Sequence, residues 1–77
     1  MTEHKRAELL ALVIKEHGML VSSRALWKIY GYPTPNAYRQ ARVRKLLPIE
    51  EFSIDGRRGK FILAVDLVNW LMEVKQQ

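Results

Sequence analysis

Residues 31 to 35 read Gly-Tyr-Pro-Thr-Pro, and this punctuation limits the possible folds more than any other feature of the chain. A helix arriving at Gly31 finds a residue that favours the left-handed conformation, a common helix terminator. Pro33 keeps that helix from continuing, because proline has no N–H and its ring clashes with the carbonyl one turn back. Thr34 is a natural N-cap, and Pro35 suits the first helical position, where its missing N–H costs nothing. The stretch therefore predicts two helices joined by a tight connection. The second begins near residue 35, runs to Leu46 or Leu47, and ends before Pro48. Two helices so joined have the shape of a helix-turn-helix.

The flanking segments extend this pattern. Thr2 can cap a first helix through KRAELLALVIKEH that stops at Gly18. Its stripe of Ala7, Leu10, Ile14 and His17, widened by Leu9 and Val13, points to a core and leaves Leu12 outside. MLV, residues 19 to 21, reads as a short extended piece. Ser22 or Ser23 can cap a second helix, RALWKIY, ended by Gly31. Alone it is too short to be helical in water, so it depends on packing through Ala25, Leu26 and Ile29, with Trp27 partly covered.

After Pro48, FSI (52 to 54) and KFIL (60 to 63) flank DGRRG. Apolar and β-branched residues around a glycine-containing turn predict a β-hairpin, with Asp55 and Gly56 in the tight turn. Asp66 then starts a last helix, DLVNWLMEVK, whose Leu67, Trp70, Leu71 and Val74 fall on one face. The predicted order is helix, helix, turn, helix, hairpin, helix: a single domain over residues 1 to 77, mainly α with a small β-hairpin, a winged helix-turn-helix. Its expected core includes Leu10, Ile14, Leu26, Ile29, Val43, Leu67, Trp70 and Leu71.

Charge narrows the function. Thirteen Lys and Arg stand against eight Asp and Glu, a net charge of +5, which suits an anionic partner such as nucleic acid. Of residues 33 to 45, four are basic and none is acidic. At 100° per residue, Val43, Leu47, Ala37 and Ala41 gather on one side of the third helix with Gln40 and Arg44 between them. Arg39, Arg42, Lys45 and Tyr38 gather on the other. That second face suits the major groove of duplex DNA, which admits one α-helix. Arg39 and Arg42 would reach guanine edges or phosphates, Asn36 an adenine, and Tyr38 would bond a phosphate or stack. The helix N-terminus adds backbone donors for a phosphate. Arg57 and Arg58 at the hairpin tip, with Lys60 just after, fit a minor groove or its flanking phosphates. Turn geometry asks for Gly, Asn or Asp and has no need of two arginines.

With both elements in place, the chain resembles the excisionase and AlpA-like group of small winged helix-turn-helix proteins, related in fold to the DNA-binding domain of MerR regulators. The resemblance rests on LVSSRALWKIYG, TPNAYRQARVRKLLP and RRGKFILAVDLVNWL, within residues 19 to 72. LLALVIKEHG leading into MLVSSRALWKIYG is also similar to small phage- and pyocin-type activators. The chain departs from the group at the exit of the third helix, where Leu46-Leu47-Pro48 stands in place of a frequent glycine, and its first helix is longer than in minimal excisionases. The resemblance implies DNA contacts by Asn36, Tyr38, Arg39 and Arg42 on the recognition helix and by Arg57, Arg58 and Lys60 on the wing. It implies a sequence-specific duplex-DNA-binding protein of phage or plasmid type, an excisionase-like architectural factor or a small transcriptional regulator. Such proteins line up on repeated sites and bend DNA, and a recombinase or polymerase is the kind of protein partner expected.

Other classes fit less well. His4 and His17 lie far apart, Ser22 and Ser23 read as caps, and the carboxylates show no acid/base or metal spacing, so neither an enzyme, a metal nor a cofactor is expected. The chain has no cysteine, which fits a reducing cytoplasm. No apolar run is long enough to span a membrane, and the charged TEHKRAELL start is unlike a secretory signal. RNA is disfavoured because an A-form major groove excludes a helix. A protein-interaction module on the same winged-helix scaffold is the rival, with Leu12, Leu46 or Trp27 as an exposed patch.

Overall fold

The computed structural model describes residues 2 to 76, with the side chains of 3 to 75. Among these residues it is mainly helical, with four helices and a small two-stranded antiparallel sheet. In chain order these are α1 (Thr2–His17), β1 (Leu20–Ser22), α2 (Ser23–Ile29), α3 (Pro35–Val43), β2 (Phe61–Leu63) and α4 (Ala64–Gln76).

Gly18, Ser22, Gly31 and Thr34 act where the sequence places them, whereas Thr2, expected as a cap, is already the first residue of α1 and its side chain lies outside the described ones. Gly18 takes a positive φ of 86° and its N–H bonds the Ile14 carbonyl at 2.8 Å, closing α1. Ser22 caps α2, its hydroxyl accepting from the Arg24 N–H at 3.2 Å. At the other end Gly31 is left-handed (φ 87°). The Tyr32 N–H returns to the Trp27 carbonyl at 2.9 Å and the Gly31 N–H to Lys28 at 3.0 Å, a Schellman motif that satisfies carbonyls the helix leaves open. Thr34 then caps α3 by accepting from the Ala37 N–H at 3.1 Å.

α3 stops earlier than predicted, at Val43 rather than Leu46 or Leu47. Its end repeats the α2 motif: the Leu46 N–H reaches the Ala41 carbonyl at 2.9 Å and the Lys45 N–H reaches Arg42 at 3.0 Å. The left-handed residue here is Lys45, at φ 58°, and not a glycine. A lysine in that region costs roughly 1 kcal/mol or more, and sequence signals alone gave no warning of it.

The sheet also differs from prediction. The main partner of β2 is β1, not the FSI segment: Leu20 faces Leu63, Val21 faces Ile62 and Ser22 faces Phe61. FSI contributes one bridge, Phe52 to Phe61, with N–H···O bonds of 3.0 and 2.9 Å in the two directions. The predicted hairpin is thus a loop over residues 53 to 60, closed at its base by that bridge. Asp55 and Gly56 form its turn as expected, with Gly56 at φ 79° and the Arg57 N–H bonded to the Ile54 carbonyl at 3.0 Å. The loop is fastened to α2: the Ser23 N–H bonds the Lys60 carbonyl at 2.9 Å, and Gly59 lies so near that an added Cβ would sit 3.3 Å from the Ser23 hydroxyl.

β2 runs directly into α4, which starts before Asp66 and packs against α1, where Arg6 Nε donates to Asn69 Oδ1 at 2.7 Å. Val21, Leu26, Ile62, Leu67 and Val68 are fully buried. Leu10, Ile14, Ile29, Trp70 and Leu71 pack half-buried against that core, as predicted. Ala7 and His17, expected on the inner stripe of α1, and Val74, expected on that of α4, are exposed, and two assignments on α3 are reversed. Val43, expected in the core, is 80% exposed, and Tyr38, expected outside, is 3% exposed and belongs to the core cluster. The reason is area. A tyrosine ring buries more apolar surface than a valine, so α3 turns Tyr38 and Ala41 inward. Tyr38 packs at 6.2 Å from the Tyr30 ring and 6.1 Å from the Tyr32 ring, while Tyr30 meets Trp70 edge-on at 5.1 Å.

Candidate nucleic-acid interface

The rotation of α3 redistributes its polar side chains. Residues Tyr38, Ala41 and Arg42 face the protein, and Asn36, Arg39, Gln40 and Val43 face outward. The outer four are spaced i, i+3, i+4 and i+7, which is one face of a helix. Arg44, just past the helix, is exposed beside them. Asn36, Arg39, Gln40, Val43 and Arg44 together line one shallow concavity.

Arg42 is held inward. Its Nε donates to Glu51 Oε1 at 2.6 Å, and its guanidinium lies 5.0 Å over the Tyr38 ring. The Glu51 side chain is only 4% exposed, and Arg42 keeps 32%. Burial pushes the Glu51 carboxyl above its ordinary value, and the Lys60 ammonium pulls it back; the short Arg42 contact works in the same sense as Lys60. Arg42, predicted to enter a groove, is thus engaged within the fold by Glu51 and the Tyr38 ring while keeping about a third of its surface. Tyr38, predicted to face a phosphate or stack, has its ring in the core and its hydroxyl enclosed. Tyr38 Oη, Tyr30 Oη and Glu51 Oε2 are buried without a hydrogen-bond partner. Burial, then the charge of Glu51, pushes the Tyr30 hydroxyl far above its ordinary value, so it stays protonated.

The remaining predicted residues divide. Asn36 and Arg39 are exposed on the outer face of α3, as expected. Lys45 is exposed, but at the left-handed turn beyond the helix. Arg57 and Arg58 are exposed on the 53 to 60 loop, with Arg57 5.9 Å from the Phe61 ring. Lys60 is half-buried and crosses the loop, its Nζ donating to Ser53 Oγ at 2.9 Å. Of the first-turn amides of α3, that of Ala37 is taken by Thr34.

One residue joins the two basic surfaces, and sequence reasoning missed it. Arg24, exposed on the first turn of α2, lines a concavity with Arg57, Arg58, Phe61, Glu16 and His17. It lines a second one with Trp27, Pro35, Tyr38, Arg39 and Arg42. Arg24 thus links the concavity that holds Arg57, Arg58 and Glu16 to the one that holds Arg39, and Arg39 shares a third with Arg44; Asp55 is exposed on the same loop as Arg57 and Arg58. Arg24 is invisible to helix-wheel reasoning on α3 because it comes from another element. Its only sequence signal is a cation two residues after a cap. Gln40 and Arg44 were misassigned with the apolar side through the same error that put Val43 in the core.

Among the described residues, no group of three or more His, Asp or Glu could hold a metal ion, and no helix is long and apolar enough to cross a membrane. Compared with family models, curated proteins and solved structures, the chain matches none.

Proposed function

We propose that the protein binds duplex DNA as a winged helix-turn-helix. In this reading α2 and α3 are the paired helices, α3 lies in the major groove, and the 53 to 60 loop is the wing. The observation that carries it is the row of arginines from Arg57 and Arg58 through Arg24 to Arg39 and Arg44. Arg24 and Arg39 link three neighbouring concavities drawn from the loop, α2 and α3, in which these five arginines meet Glu16. An ordinary solvated surface intersperses both signs of charge. A row of one sign, flanking a helix with exposed Asn36, Arg39 and Gln40, matches a surface that meets phosphates at its edges and base edges in the middle.

The resemblance to excisionase-like proteins extends the proposal to a small phage- or plasmid-type regulator or architectural factor that assembles on repeated sites in the cytoplasm, and it carries no catalytic role. Asn36 and Arg39 are the direct readers. Arg24, Arg44, Lys45, Arg57 and Arg58 set position on the backbone. Arg42 and Tyr38 support the helix from beneath. The rival reading, a protein-interaction module, draws on the exposed Leu12, Met19 and Leu46.

Titration of random-sequence duplex at several salt concentrations tests the proposal. Each phosphate neutralised adds close to one unit to the slope of log K against log salt. The intact protein is expected to show a steep slope, and Arg57→Ala with Arg58→Ala a slope flatter by about two units. Duplex affinity that is absent, or independent of salt, would sink the proposal in favour of a protein partner.

A further inference from the structure

Val43 is the least expected residue on the outer face of α3. It is 80% exposed, yet its neighbours Asn36, Arg39, Gln40 and Arg44 are all polar or charged. A β-branched apolar residue gains nothing from water and is a poor choice for a solvated helix surface. Nor does it fill a gap in the fold, because the inner face is already closed by Tyr38 and Ala41. Its place in a ring of hydrogen-bonding groups resembles a single dry spot inside a polar contact surface. In a major groove the one apolar feature on a base edge is the C5 methyl of a pyrimidine.

We propose that Val43 reads such a methyl group, on thymine or on 5-methylcytosine, while Arg39 and Gln40 bond the neighbouring base edges. The inference rests on the DNA-binding reading above and adds a preference at one position. Val43 lies one turn from Arg39, about 6 Å along the helix. The methyl therefore belongs on a base pair close to the one that Arg39 contacts. Arg39 would take guanine N7 and O6, and Gln40 or Asn36 adenine N6 and N7. Burying one methyl is worth about fourfold in affinity, the factor corresponding to about 0.8 kcal/mol.

The test starts from the duplex selected by the protein out of a random library. Each thymine is replaced in turn by uracil, which removes only the methyl, and each cytosine by 5-methylcytosine. These duplexes are titrated against the native protein and Val43→Ala. Val43 makes little contact within the fold, so the variant should keep the native melting temperature, and the substituted DNA probes the same contact without altering the protein. The expected result is one position where uracil costs the native protein about fourfold and costs Val43→Ala clearly less. A methyl effect confined to a cytosine position would assign the contact to 5-methylcytosine. Two results overturn the inference and leave DNA binding standing: uracil effects equal in both proteins, or binding with no preferred sequence. No duplex binding at all overturns both, and would turn Val43 and Leu46 into candidates for a protein contact.

Discussion

Arg39 and Arg42 lie three residues apart on the same short helix. Arg39 points to solvent among Asn36, Gln40 and Val43. Arg42 points inward, bonded to a carboxylate nine residues further along the chain and stacked on a buried tyrosine ring. Composition treats the two as equals. The fold does not, because a helix has one face to give to its core and the largest ring claims it. The lesson is that a basic helix is informative only after its inner face has been found, and on α3 that face is set by Tyr38.

The largest effect belongs to the ring itself. Tyr38→Ala removes a buried aromatic side chain that touches Tyr30, Tyr32 and Arg42. It is expected to cost about 3–5 kcal/mol of stability, much of what a domain of this size has. Arg39→Ala, one residue on, should stay within about 0.5 kcal/mol of the native protein. Denaturant unfolding of both variants measures the contrast, and equal losses would mean that α3 is rotated differently from the structure.

In DNA affinity the ranking reverses. Arg39→Ala should lose about 1–3 kcal/mol for the preferred duplex, the value of a bidentate arginine–guanine contact, and much less for scrambled sequence. Arg42→Ala should show up mainly in stability, because it leaves the Glu51 carboxylate buried and unpaired; such a group costs about 1–3 kcal/mol or more. Matched titrations and melts of the two variants separate the roles. Arg42→Ala acting as a pure affinity mutant would restore it to the groove.

The legible part of the molecule is the part governed by local rules. Gly18, Gly31, Thr34 and the Asp55–Gly56 turn each act through their own backbone within a few residues, and every one appears where the sequence places it. The illegible part depends on competition at a distance. Which face of α3 turns inward is decided by Tyr30, Tyr32 and Glu51, none of which lies on that helix. The pairing of β2 with β1 rather than with FSI joins residues about 40 positions apart, and local hairpin chemistry cannot reveal it. For the candidate site, Asn36, Arg39, Arg57 and Arg58 are exposed as expected. Arg24 could not be found, because its neighbours belong to three different elements.

The two helix ends give a smaller test. α2 closes through Gly31 and α3 through Lys45, with the same pair of hydrogen bonds. Lys45→Gly relieves the left-handed strain and returns some of that gain through the more flexible unfolded chain. A net stabilisation of about 0.5–1 kcal/mol is expected by thermal or chemical unfolding. A destabilised variant would show that the lysine stem makes a contact worth more than the strain it bears.

Tyr38→Phe should have the smallest effect, and it decides most directly between the two faces. Tyr38 was a reasonable candidate for a phosphate contact, since it sits among arginines on a helix that suits DNA. In the fold its ring is core and its hydroxyl is buried with no partner. An oxygen in that position has given up water and received no bond in return, a desolvation cost of about 1–3 kcal/mol. Phenylalanine keeps the ring, its packing and its place beneath Arg42, and removes only the oxygen. Stability should therefore be unchanged or rise by up to about 1 kcal/mol, and duplex affinity should stay within about twofold, a change worth only about 0.4 kcal/mol. A hydroxyl bonded to a phosphate would give the opposite pattern: unchanged stability, with affinity down by roughly the 0.5–1.5 kcal/mol of a typical hydrogen bond. That result would place Tyr38 on the outer face, return Val43 to the core, and remove the basis for reading Val43 as the contact to a base methyl.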